Sequence, residues 1–406
     1  MRVSRREALA VGAGMAVAAG AQASGATVPN GAVDVAVIGA GVFGAWTAWH
    51  LKNRGLTVRL LDQYGAGNAL SSSGGESRVI RLSYGGDPLY SQLAREALGQ
   101  WAALSQRQSR PILHRTGVLW FSPADDSYMA NSLAWLRANG VAHETGDLAW
   151  LRGRFPQIAF RDGERGFVEN DSGALIAGRG VQAVVADAQL AVEPVAAGPP
   201  RRSSDGAYEV GGIRANSLVY ACGPWLPRLF PEVLEGRIVA TRQEVYHFGS
   251  APGDRRFAPP ELPVWADFNA GDLVYGFPEL EGQGFKLAFD RHGAEVDPDT
   301  QDRRVSPEGV AAARAYLAER FPGLGDAPLI HGRVCQYENS SNGDFLLDRL
   351  PGHERVWLVG GGSGHGFKHG PAVGLRVAAH VADAILPIEP RFALAGKART
   401  QARTIY

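Results

Sequence analysis

One stretch constrains this chain more than any other: "VDVAVIGAGVFGAWTAWHLKNRGLTVRLLD", residues 33–62. Val33 to Ile38 is a β-branched apolar run of the kind that forms a strand buried on both faces. Gly39-Ala40-Gly41-Val42-Phe43-Gly44 then turns the chain into a helix with an apolar face, and Gly55 stops that helix. A second strand over Thr57–Leu61 ends on an acid, Asp62. Taken alone, the glycine spacing is weak evidence. Between a strand and a helix, with an acid about twenty residues on, it is a dinucleotide-binding fingerprint. The glycines let backbone approach a pyrophosphate at the positive helix N-terminus, and Asp62 can accept hydrogen bonds from ribose hydroxyls.

Two later segments extend the same sheet. "SLVYACGPW" (217–225) reads as a strand entering a Gly-Pro turn, and "RVWLVGGGSGHGFKHGPAVGLRVAAHVADAI" (355–385) reads as strand, glycine-rich turn and helix. The residues around 240–300 alternate differently, as antiparallel strands with hairpin turns. "SPEGVAAARAYLAERF" (306–321) is an amphipathic helix capped by Ser306, and "AAGPPRRSSDGAYE" is a polar hairpin loop. The expected architecture is α/β: a Rossmann-type dinucleotide domain with an antiparallel-sheet domain inserted and packed against it. By pattern the first domain takes 33–100, 166–235 and 331–390, and the inserted one takes 101–165 and 236–330.

Charge narrows the partners. Lys+Arg and Asp+Glu each number 41, so the net charge is zero and no basic surface for nucleic acid or anionic lipid is expected. Beyond the N-terminus no apolar stretch is long enough to span a bilayer. The two cysteines, Cys222 and Cys335, do not make a disulfide framework; Cys222, in an apolar run, reads as a packing residue. At the N-terminus "SRREALAVGAGMAVAAGAQASGA" places Arg5 and Arg6 before an apolar run closing on Ala21-Gln22-Ala23. This reads as a bacterial twin-arginine signal peptide over 1–23, with Ala8 where an aromatic or large apolar residue is usual. The chain is therefore expected to meet the export machinery, folded, and to work in the periplasm or outside the cell.

Four stretches in order carry a more specific resemblance: "VIGAGVFGAWTAWHL", "GESRVIRLSYG", "GFPELEGQGFKLAFDRHGAEVDPDT", and "CQYENSSNGDFLLD" followed by "GGGSGHGFKHGPAVG". From about residue 33 to 385 the chain resembles the FAD-dependent amine oxidases related to D-amino acid oxidase, the sarcosine oxidase and N-methyltryptophan oxidase group above all. The resemblance implies FAD on the first domain and a substrate between the flavin and the antiparallel sheet. It implies that Gly39, Gly41, Val42, Phe43, Gly44, Asp62, Arg78, Val195, Gly223, Trp225, Cys335, Gly362, Gly364, His365, Gly366 and Lys368 contact the cofactor. Arg81 and Lys368 fall where the family places two cations on the substrate carboxylate, a task that suits the planar fork of arginine. The alternative for each is an ordinary surface cation.

Lys286, in "GFKLAF", falls where the sarcosine oxidase group has the lysine that activates oxygen; alternation along that strand also allows plain solvent exposure. Cys335 falls where these oxidases attach FAD through a thioether, the alternative being a buried, unreactive cysteine. Tyr275 and Tyr337 match aromatic residues lining the substrate cavity, and His365 is expected to serve through backbone and packing. Two departures stand out: Gly74 replaces a histidine beside the flavin, and Asp290 stands where another cavity histidine is usual, so the pocket's size or charge differs. The implied activity is oxidation of an amino acid C–N bond, secondary or N-methylated, giving an imine and hydrogen peroxide from O2. The alternatives are a dehydrogenase of the same fold feeding a quinone or carrier protein, and a non-catalytic flavin-binding partner.

Overall fold

The computed structural model describes residues 31–269 and 272–401; the N-terminal signal-like run lies outside the described residues. The strand Val33–Ile38 is buried from Val35 onward and pairs in parallel with Val58–Leu61 on one side and Ile213–Tyr220 on the other. Val192–Glu193 and Val356–Gly360 extend the parallel core outward, and the hairpin Arg201–Arg202/Tyr208–Val210 and the strand Leu346–Arg349 finish the sheet. The helix Val42–Asn53 follows the glycine turn and buries residues on most of its surface, because the helices Gly370–Ala382 and Ala177–Asp187 pack against it.

The second sheet has eight strands and is antiparallel except where Val264–Asn269 runs parallel to Val118–Pro123. Its longest pairing joins Ile238–Phe248 to Leu329–Ser340 over the whole length of the first. The helix Pro307–Arg320 is capped by Ser306, whose side chain accepts from the Gly309 N–H. Its last residue, Arg320, is fully buried and donates to Asp267 at 2.9 Å and Glu164 at 2.8 Å. Both carboxylates come from sheet strands, so this ion triad fixes the helix on the sheet; removing one member would leave a buried charge unpaired.

Two of the expected boundaries fall inside strands. Glu164–Glu169 pairs with Val118–Pro123, and Leu329–Ser340 pairs with Ile238–Phe248, so both belong entirely to the antiparallel sheet. Backbone pairing along a whole strand decides this, and it leaves no local mark at residues 166 or 331. A small third sheet joins Ser77–Ile80, Gly173–Ile176 and Leu113–His114. Among the described residues no helix is long and apolar enough to cross a membrane.

Candidate active site

A cavity of about 540 Å³ runs from the glycine turn to the antiparallel sheet. At the turn end, Gly39 has φ +101°, and a Cβ there would sit 2.3 Å from the Ala221 carbonyl oxygen. A Cβ on Gly44 would meet the Gly39 carbonyl oxygen at 1.8 Å. Both positions admit only glycine, and the space is kept for backbone. Gly41, Val42 and Phe43 line the cavity at the start of the helix, and Ser73 Oγ accepts from the Val42 N–H at 3.0 Å. Asp62 lines it too; its carboxylate already accepts from the Ala40 and Tyr64 N–H groups, both at 2.8 Å, and retains lone pairs for ribose hydroxyls. Val195, Gly223 and Trp225 close this end, the Trp225 indole donating to Asp299 at 2.7 Å.

The glycine-rich turn after Val356–Gly360 forms the facing wall. Gly364 has φ +79°, and a Cβ there would press on the Tyr337 ring at 2.8 Å. Gly366 lies against Phe43 and Gly362 equally closely. His365 is held at both ring nitrogens, by Tyr84 Oη at 3.2 Å and the Gly343 carbonyl at 3.1 Å, and its ring stacks on Phe345. The imidazole thus has a partner at each ring nitrogen. The glycine turn, helix N-terminus and acidic residue fit a dinucleotide such as FAD, and these residues would hold it.

At the other end two cations share the wall. Arg81 is buried, donates to the Ser83 carbonyl and to Tyr128 Oη, and lies over the Tyr84 ring at 4.1 Å and the Trp120 ring at 5.1 Å. Lys368 is 2% exposed and donates to the His365 carbonyl at 2.9 Å. Burial first, and then the nearby Arg81 charge, hold the Lys368 ammonium well below the usual lysine range, with Asp290 and Glu169 opposing. Opposite them, Tyr275 Oη lies 3.3 Å from Tyr337 Oη, and Tyr337 donates to Asp290 at 3.1 Å. Burial and Asp290 push the Tyr275 phenol up to about 12, so it stays a neutral hydroxyl.

Lys286 resolves the ambiguity of its strand. It is 3% exposed, because both faces of Phe285–Phe289 are covered, and it lines the cavity. Its ammonium donates to the Ser77 carbonyl at 3.0 Å and lies 4.7 Å from the Phe277 ring centre. Arg78 donates to the Ser72 and Gly74 carbonyls, and its guanidinium is 3.9 Å from the Cys335 sulfur, which also lines the cavity. All sixteen residues assigned to the cofactor except Gly44 line this one cavity, as do Lys286, Arg81, Tyr275 and Tyr337.

The sequence reading missed one residue of this wall. Glu338, on the strand with Cys335, is buried on the cavity wall, with one carboxylate oxygen lacking a hydrogen-bond partner. Burial pushes its carboxyl up to about 7, against help from the Gly361 and Gly362 N–H groups. An acid on the buried side of an alternating strand was the available signal. Cys222 lines the cavity wall, half-buried and packed against the core around Tyr220 and Leu226; burial, and then the charges of Asp62 and Glu338, push its thiol up, keeping it protonated. Among the described residues no cluster of metal-ligating side chains occurs.

Residues 34–380 match the family described as DAO, FAD dependent oxidoreductase. The chain is 30% identical over 357 residues to N-methyl-L-tryptophan oxidase of Salmonella arizonae, covering 84% of this chain and 92% of that protein. It is 30% identical over 356 residues to the peroxisomal sarcosine oxidase of Mus musculus, covering 84% and 90%. Among solved structures it is similar to NikD, described as an unusual amino acid oxidase, with a TM-score of 0.75 at 22% identity over 89% of this chain and 97% of that one. It is similar too to an L-proline dehydrogenase from P. horikoshii, with a TM-score of 0.76 at 16% identity over 89% and 97%. The family match spans both sheets and the cavity between them: this chain belongs to the DAO family of FAD-dependent oxidoreductases.

Proposed function

We propose that the protein oxidises the C–N bond of an amino acid, secondary or N-methylated, to an imine, with O2 as the final acceptor and hydrogen peroxide as product. The observation that carries this reading is the pair of buried cations, Arg81 and Lys368, on the wall of a cavity that also holds a dinucleotide fingerprint. Two like charges desolvated together destabilise each other until an anion arrives, which suits a substrate carboxylate. FAD, when bound, supplies the two-electron acceptor. Arg81 and Lys368 orient the substrate by its carboxylate, and Tyr275 and Tyr337 pack against its amine end. Asp290, held by Tyr337, offers an acceptor to that amine, a feature that favours substrates whose nitrogen carries a proton. Lys286 places an ammonium on the same cavity, where charge develops on O2.

The reading is tested by anaerobic mixing of the FAD-loaded protein with a panel including sarcosine, N-methyl-L-tryptophan, L-proline and matched amines. An N-alkylated or cyclic amino acid should bleach the flavin absorbance, and air should restore it with one peroxide per turnover. Bleaching by no amino acid would overturn the reading. Reduced flavin that persists in air but yields to a quinone would make the protein a dehydrogenase.

We read Cys335 as the attachment point of FAD, supported by its place on the cavity wall beside Arg78. Acid denaturation should leave yellow colour on the protein, and Cys335→Ala should release it to the supernatant. Free flavin from the unmutated protein would leave the cofactor bound but not attached.

We also propose export by the twin-arginine route, with a mature chain beginning at or near Ser24 in the periplasm or outside the cell. The support is Arg5-Arg6 and the Ala21-Gln22-Ala23 site, together with a cofactor that would be loaded in the cytoplasm, so that the protein must travel folded. Replacing both arginines with lysine should retain the FAD-loaded protein in the cytoplasm; unchanged export would point to another route.

A further inference from the structure

Only four of the 41 basic residues are lysines: Lys52, Lys286, Lys368 and Lys397. Three of them are buried, and Lys52 alone is exposed. A buried lysine, unlike arginine, readily gives up its charge. Burial, and after it Arg78, push Lys286 down to about 7, so its charge is set by its neighbours.

Lys286 stands in a wall between two cavities. The main one holds the candidate active site, and behind it lies a second of about 360 Å³. Glu76, Ser77, Phe277, Lys286 and Arg333 line both. The ammonium donates to the carbonyl of Ser77, the residue next to Glu76. The charged and titratable groups facing it are Arg78, Arg333, Cys335, His247 and Glu76. Arg78 and Arg333 drive it toward the neutral form. Glu76 is the one carboxylate among them and opposes both, with the Cys335 sulfur adding a smaller effect. Glu281 also lines the second cavity, but Arg110, Arg179 and His114 engage it.

Glu76 is itself charged. Burial works against it, yet Lys286 and Arg333, whose guanidinium lies 3.6 Å from the carboxylate, hold the carboxyl below the usual range. His247 does not compete for that charge. Its Nδ1 donates to the Gln283 carbonyl at 3.0 Å, so Nε2 carries a lone pair; it lies 3.8 Å from the Glu76 carboxylate with no hydrogen-bond partner. Burial and the Lys286 charge push this imidazole down to about 3, leaving it neutral.

We propose that Glu76 is a positioning residue for the oxygen half-reaction: its carboxylate, set in the wall between the two cavities, keeps the Lys286 ammonium charged. The proposal rests on Lys286 being the oxygen-side cation.

With so few lysines, [ε-13C]lysine labelling of the FAD-loaded protein gives a spectrum simple enough to titrate, with exposed Lys52 as internal reference. In Glu76→Gln the Lys286 midpoint should fall by about one to two pH units, the size expected when one opposite charge is removed from a shared, largely desolvated wall. Arg333→Gln should raise it, because a like charge is removed, and Glu76→Asp should hold it near the parent value. The pH midpoint of reoxidation by O2 should move in the same direction in each variant, while anaerobic reduction by substrate stays within about threefold. An unmoved Lys286 midpoint in Glu76→Gln overturns the proposal whatever Lys286 does. A midpoint that falls while reoxidation ignores it overturns the proposal from the other side, by showing that the lysine's charge does not serve oxygen. Should Glu76→Gln fail to fold, Glu76→Ala takes its place, with the same fall in the Lys286 midpoint expected and an unmoved midpoint overturning the proposal.

Discussion

Lys286→Met should leave substrate oxidation nearly intact and slow reoxidation by O2 by about two to three orders of magnitude, the scale of losing one preorganised electrostatic group. The side chain is buried against Phe277, and methionine of similar length and bulk can occupy that volume. What disappears is a positive charge on the cavity wall, placed on the proposed reading where oxygen becomes anionic. That charge has no part in removing electrons from the substrate, so anaerobic reduction should stay within about an order of magnitude of the parent. Stopped-flow mixing of reduced enzyme with O2 reads the first effect, and mixing of oxidised enzyme with substrate reads the second. An artificial electron acceptor should restore turnover. Collapse of reduction with normal reoxidation would assign Lys286 to substrate binding. No change in either would favour the dehydrogenase reading.

Arg81→Ala should lower kcat/KM for an amino acid far more than for the matching amine without a carboxylate. Truncating one partner of a buried charge-assisted pair costs about 2–5 kcal/mol, or roughly 30-fold to several thousand-fold. The comparison between the two substrates matters because Arg81 is also structural. It donates to Ser83 and Tyr128 and stacks over Tyr84 and Trp120, so its removal disturbs packing for either compound. Only the differential loss belongs to the carboxylate. Equal losses would mean that Arg81 shapes the pocket without touching the substrate, leaving Lys368 as the anion site.

Lysine at 368 and arginine at 81 are not interchangeable here. The guanidinium keeps its charge when buried, and it lowers the proton affinity of its neighbour, Lys368. On the proposed reading, a substrate carboxylate would reverse that effect, so the anion and the second charge would arrive together.

The opening βαβ unit was legible in the sequence because its signals are local. A continuous apolar strand, glycines where a Cβ would collide with backbone, and an acid at the end of the next strand each follow from short-range geometry. The glycine-rich turn near residue 364 was legible for the same reason, and the order of the four similar stretches pointed to one cavity. The extent of the second sheet was not. Glu164–Glu169 and Leu329–Ser340 join it through partners about twenty to a hundred residues away, and no local pattern records that pairing.

Burial was the other undecided quantity. In "GFKLAF" the alternation left Lys286 free to face solvent, and only the covering of both strand faces places its ammonium on the cavity. Glu76 was visible as a letter beside Ser77, yet nothing nearby in sequence paired it with Lys286, which is 210 residues on. The sequence by itself determined the nucleotide-binding turn, the chemistry of the candidate side chains and their order. The tertiary structure decided which charges are desolvated and which share a wall, because electrostatic strength depends on the dielectric and on distances that long-range packing alone creates.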